Sequence, residues 1–326
     1  MREIEGNGVS HLANTIEVDL FQREVALHKP HVKALSDLVA CALTTRSVNS
    51  SEWIEQLPRI LCKKKSKERF ISRFLSNIHV TPNGIMSSYV SELIQKLSEK
   101  GETVVLMLDQ SKIKDGFECL MVSVRIGNRA LPIAWKTVKT GGAIGFETQK
   151  VLLQEVKEMI PNGILILLSA DRFYGTASII GLCQEYDWNY RIRLKGNVLL
   201  KKDGGEMLSG DAVKLGITEL HEAEMGSIKT NIGIIHEPGH PEPWIIAMSE
   251  RPTKARILDY GMRWGIEALF SDFKSRGFGI TETHLEDAER IDRLILILAL
   301  ACYWAVSTGS QLPIPEKASS KKWRVA

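Results

Sequence analysis

From residue 12 to about residue 100 the apolar positions recur at helical spacing, around 35–43, 54–61 and 87–97, with no alternating stretch among them. From residue 103 the texture changes. "TVVLMLD" is an apolar run that ends on Asp109, and "FECLMVSVRIG" and "ALPIAWKTV" follow with turn residues between them. A helical pattern over 147–159 leads to "GILILLSAD", a second apolar run closing on Asp171. Helix 176–185 and the strand "NYRIRLK" come next. Between 196 and 250, Gly and Pro break up short strand candidates such as "VLLKK", "NIGIIH" and "WIIAMS". Helical pattern then returns from Lys254, and the proline-bearing tail after Ser310 is expected to fray. The pattern predicts an α/β protein: a helical region over 1–100, a body over 101–310 with a β-rich segment at about 196–250, and a flexible tail over 311–326.

Two of these strands combine an unbroken apolar run with a terminal aspartate. Strands that apolar are central and covered on both faces, and carboxylates at their ends sit where an α/β sheet opens into a cleft. If the strands are neighbours, Asp109 and Asp171 are close, and like charges so placed call for a cation. Mg²⁺, or Mn²⁺ in its place, suits a site of few carboxylates and many waters.

A later helix, "YGMRWGIEALFSDFK", offers a third carboxylate. Ile266, Leu269, Phe270 and Phe273 make its apolar stripe, while Tyr260, Arg263, Glu267 and Lys274 fall within about 60° of arc at roughly 100° per residue. Three carboxylates, Asp109, Asp171 and Glu267, holding two ions are what in-line phosphoryl transfer requires. Arg263 and Lys274 would grip phosphates beside them, with the Tyr260 hydroxyl positioning another. Each residue also has a plainer reading. Asp171 in "DRFYG" could cap the next helix, Arg263–Glu267 could be an ordinary i, i+4 ion pair, and Tyr260 could simply pack. Trp244 reads as core.

Composition narrows the partners little. Hydrophobic residues at 44% and charged residues at 25% are globular values, and a net charge of +3 is mild for a protein acting on nucleic acid. Basic charge is instead local. In "RILCKKKSKERFISRFLSN", Lys63, Lys64, Lys65, Lys67 and Arg69 stand with Arg59 and Arg73 against Glu68 alone, as a phosphate-tracking face or a solvated one. Five scattered cysteines lack metal or redox spacing, and "MREIEGNGVS" has no apolar signal core, which fits a cytoplasmic protein. The apolar run 294–306 falls short of a membrane span. "VKTGGAIG" lacks the Lys-Ser/Thr of a phosphate loop, and the His236/His240 pair in "HEPGHPEP" lies in a turn and argues little for zinc.

The helix "YGMRWGIEALFSDFK" resembles the Y-(2)-R-(3)-E-(6)-K signature of the bacterial insertion sequence 4 family of transposases at all four positions. "MLDQSKI" and "LSADRFYG" are similar to that family's first and second aspartate motifs. "YRIRLKGN" resembles its following strand, "THLEDAERIDRLILILALACYWA" its closing helices and "RFISRFLSN" its N-terminal region. The resemblance spans about 59–308. It implies a ribonuclease-H-like catalytic core with a β-rich insertion, a catalytic triad of Asp109, Asp171 and Glu267, and two Mg²⁺ ions. It further implies double-stranded DNA as partner, both terminal inverted repeats and target, bound by a dimer on paired ends in the nucleoid. Tyr260, Arg263 and Lys274, joined by Arg172 and Arg193, would contact that DNA, with residues 1–100 helping to recognise the ends. Two alternatives remain: a ribonuclease-H-like nuclease without strand transfer, and a transposase-derived DNA-binding protein that no longer cuts.

Overall fold

Five helices precede the first strand: α1 (Gly8–Gln22), α2 (Lys29–Thr45), α3 (Ser50–Gln56), α4 (Lys64–Leu75) and α5 (Pro82–Leu97). The computed structural model describes residues 8–58, 63–239 and 241–311. Local chemistry sets the helix limits. Pro30 and Pro82 sit in first turns, where a missing N–H is harmless. Asn49 caps α3 by accepting from the Ser51 amide at 2.9 Å, and Leu57, restricted by the Pro58 that follows, ends it. The helical expectation over 54–61 therefore stops early, and residues 59–61 of it lie outside the described residues, as do the tail residues 312–326.

The strands β1 (Val104–Lys114), β2 (Phe117–Ile126) and β3 (Arg129–Lys139) form an antiparallel meander. Asp115-Gly116, with Gly116 at φ +77°, closes its first hairpin. Pro132 is tolerated because β3 is a sheet edge. Helix α6 (Phe146–Met159) then crosses to β4 (Ile166–Ala170), parallel to β1, and α7 (Ala177–Glu185) crosses to β5 (Asn189–Arg193), parallel to β4. Parallel neighbours need such crossovers.

The β-rich segment extends this same sheet. It comprises β6 (Leu199–Lys202), β7 (Gly205–Leu208), β8 (Gly216–Met225), β9 (Ile228–His236) and β10 (Trp244–Met248). β10 pairs antiparallel with β5, and the ten strands run in the order β3-β2-β1-β4-β5-β10-β9-β8-β6-β7.

After β10 the chain is helical but interrupted: α8 (Lys254–Leu258), a 3₁₀ segment (Asp259–Trp264), α9 (Gly265–Phe273) and α10 (Ala288–Gln311). Helical pattern does return from Lys254, but the single helix expected over 260–274 is corrected to the end of the 3₁₀ segment followed by α9. Tyr260 and Arg263 are both buried, at 3% and 8% exposure, and three residues per turn put both on the inner side.

One hydrophobic core runs from Val9 in α1 through the sheet to Ala301 in α10, so the N-terminal helices share it with the sheet. A smaller cluster unites Ile235, Ile246, Met248, Ile257 and Tyr260. Residues 288–308 of α10 are long and apolar enough to cross a membrane by length and composition, beyond what the run 294–306 suggested. Yet Ile295 to Ala301 are fully buried within the fold, as in the core helix of a globular protein. Asp292 pins this helix to β3. Its Oδ1 accepts from the Thr137 amide at 2.8 Å, and its carbonyl accepts from the Trp135 indole at 3.1 Å.

Candidate active site

The parallel pairing of β1 with β4 runs from Val104 opposite Ile166 to Leu108 opposite Ala170. Asp109 and Asp171 are the next residues on each chain, so the register itself sets them side by side, on strands about 4.8 Å apart. β4 stops there, but β1 does not. It continues to Lys114 along β2, so Asp109 lies within its strand rather than at the end. β4 ends at Ala170, so Asp171 begins the loop that leaves the sheet beside Asp109.

Asp171 enters a tight loop, its Oδ1 accepting from the Phe173 amide at 2.8 Å. It does not cap the next helix. That cap is Thr176, whose hydroxyl accepts from the Ile179 amide at 3.3 Å. The loop is pressed against the end of β5: a Cβ on Gly175 would lie 2.3 Å from the Arg193 carbonyl oxygen. Tyr174 is buried beneath, its phenol pushed upward in pKa by burial and then by the charges of Asp109 and Asp171.

Glu267, on the exposed side of α9, reaches Asp109 through Arg263. The guanidinium donates from Nη1 to Asp109 Oδ2 at 2.9 Å and from Nη2 to Glu267 Oε1 at 2.6 Å. Asp109 has its carboxyl raised to about 6. Burial is the main cause, and the charges of Asp171 and Glu267 add to it against the pull of Arg263 and the Gln110 amide. Asp109 therefore lies within the field of the other two carboxylates.

The single line of four polar residues is not what the structure contains. The 3₁₀ turn and the end of α9 at Phe273 break the even rotation on which that line depended. Tyr260 packs edge-on against Trp244, ring centres 5.3 Å apart, in the smaller core cluster. Trp244 is half-buried and also meets Trp264 at 5.5 Å. Arg263 points inward at carboxylates. Lys274 follows the helix and donates to Ser111 Oγ at 2.7 Å, with burial lowering its pKa. Ser111 is two residues beyond Asp109, on the same face of β1, and strand alternation was the signal for it.

Arg172 and Arg193 both contact Glu242 Oε2, at 3.4 and 2.9 Å, a carboxylate that sequence reasoning passed over. Lys63, which precedes α4, and Lys64, Lys65 and Arg69 on it are exposed, whereas Lys67 donates to the Ile54 carbonyl at 2.7 Å. His236 ends β9, and His240 lies outside the described residues.

A family model described as Transposase DDE domain matches residues 137–304, just over half of the chain. The chain belongs to this transposase family. The match takes in Asp171, Arg263, Glu267 and Lys274, while Asp109 precedes it. No curated protein matches the chain. Such transposases work with divalent metal ions, and the donors here suit a hard cation: three carboxylates, of which Asp109 is half-buried and feels the charges of the other two. Among the described residues, however, no three His, Cys, Asp or Glu side chains converge closely enough to hold an ion between them. The guanidinium of Arg263 stands between two of the donors instead.

Proposed function

We propose that this transposase cuts the ends of its insertion sequence and joins them to target DNA. In this reading it is an insertion sequence 4 type enzyme with a ribonuclease-H-like core, its β-rich insertion at about 196–250 and a DNA-end-binding helical region before residue 101. Asp109, Asp171 and Glu267 form the triad and hold Mg²⁺ or Mn²⁺, two ions per site. Bound there, such ions activate the attacking hydroxyl and stabilise the leaving oxygen. The chain's residues do the rest. Asp109 and Asp171 fix the donor positions through strand register, and Glu267 completes them from α9. Lys274, with Ser111 beneath it, and the exposed cations of α4 would bind phosphates. Two copies would act on paired DNA ends in the cytoplasm.

One observation carries the reading: Asp109 and Asp171 directly follow the paired residues Leu108 and Ala170 of neighbouring parallel strands, and Arg263 joins Glu267 to Asp109. The test is a transposon-end duplex with Mg²⁺, assayed for cleavage and for joined products. Asp171→Ala should lose several orders of magnitude in cleavage rate while keeping its fold and its DNA affinity. Cleavage within about tenfold of wild type would remove Asp171 from the chemistry. Cleavage without joined products would favour a plain nuclease.

A further inference from the structure

Arg263 is placed unlike a residue kept only for DNA. Its side chain is 10% exposed, and both Nη groups are committed, one to Asp109 on β1 and the other to Glu267 on α9. Its Nε is buried with no hydrogen-bond partner among the described residues. Burying a guanidinium with one N–H unpaired is costly, so the two carboxylates are its charged partners, with the Tyr260 ring centre 5.9 Å from the guanidinium carbon. It also occupies the space between two oxygen donors of the proposed site, where acids do not converge on one point.

We propose that Arg263 is the resident counter-ion of the cation-free enzyme. It is a positioning residue that holds Asp109 and Glu267 before loading and yields them when the site loads. The inference rests on the reading of Asp109, Asp171 and Glu267 as the cation site. Its physical content is competition: a guanidinium and a divalent cation repel each other and want the same oxygens. Arg263 must then weaken cation binding in the DNA-free protein. DNA phosphates offer the released guanidinium another anion, so DNA and cation should each strengthen the other's binding, as linkage requires.

The experiment is Mn²⁺ titration of the full chain, followed by calorimetry and by the spin resonance of free Mn²⁺, with and without an end duplex. Thermal unfolding in chelator runs alongside. Without DNA, Arg263→Ala should bind Mn²⁺ about tenfold or more tightly than wild type, since a like charge has left the site. The same variant should unfold at lower temperature in chelator. Arg263→Lys keeps the charge but loses the fork, and should fall between the two; it carries the comparison if the alanine variant does not fold. Adding DNA should tighten Mn²⁺ binding in wild type and much less in Arg263→Ala. If Mn²⁺ binds wild type, is lost in Glu267→Ala and is unchanged or weaker in Arg263→Ala, the counter-ion role is wrong and the triad stands. If Glu267→Ala leaves Mn²⁺ binding untouched, the triad reading falls and this inference with it.

Discussion

Asp292→Asn should make the protein more stable above neutral pH and leave DNA cleavage unchanged. Asp292 is buried at 6% exposure, and its carboxyl is raised from an ordinary 3.8 to about 6. Burial is the main cause, opposed by hydrogen bonding from Thr137 and by the charges of Lys136 and Arg293. Buried Cys119 also lies within its field. Because the folded-state value is raised, the native protein binds a proton between about pH 4 and 6 that the unfolded chain has released. Stability is therefore lost as pH rises through that window, and the full cost persists above it. At about 1.4 kcal/mol per pH unit, ionised Asp292 costs roughly 3 kcal/mol at pH 8. Asparagine keeps the acceptor for the Thr137 amide and removes the charge. Its NH₂ group, in the place of Oδ2, would face the Lys136 ammonium, now 3.7 Å away, and lose part of the gain. The net expectation is about 1–2 kcal/mol of added stability at pH 8. At about pH 5 the unfolded chain is already ionised and roughly half of that cost is present, so the unfavourable amide–Lys136 contact should offset it and leave a gain close to zero. Urea unfolding at both pH values measures this through the midpoint at constant slope. A destabilised Asn variant at pH 8, or the same difference at both pH values, would refute the reasoning.

Neutralising Lys64, Lys65 and Arg69 together should flatten the salt dependence of DNA binding by about 0.9 in log–log slope for each phosphate that is no longer neutralised. Lys67→Met should leave the slope alone, because Lys67 is engaged with the Ile54 carbonyl, and should instead cost about 1 kcal/mol of stability. Filter binding across a salt series and thermal unfolding separate the two effects, and equal slopes for wild type and triple variant return the helix to a solvated face. Gly175→Ala should cost about 1–3 kcal/mol, since its Cβ would collide with the Arg193 carbonyl. Cleavage should fall with it because the displaced loop carries Asp171, and an alanine variant as stable and active as wild type would show that the loop is not fixed.

Much of the α/β architecture was legible from residues alone because burial writes itself into pattern. The runs that became β1 and β4 are apolar on both faces, which only central strands need, and the Asp-Gly pair at 115–116 marks a hairpin without reference to anything distant. β8 was not legible in the same way. Most of Gly216–Met225 is exposed and polar, so it is a strand through its pairing with β9, which no local pattern records. The carboxylates stood out as residue types, but their adjacency did not follow from either strand. It is a property of register, fixed when Leu108 meets Ala170. The helix of 260–274 shows the limit most clearly. Its periodicity assumed 3.6 residues per turn throughout, and the need to bury Tyr260 and Arg263 on one side tightened the first turns to three. An arginine that reads in sequence as a hand for phosphate lies in the fold between Asp109 and Glu267. Sequence determines which charges a chain carries, but a charge's partner is decided by whichever opposite charge tertiary packing brings within reach once water is excluded.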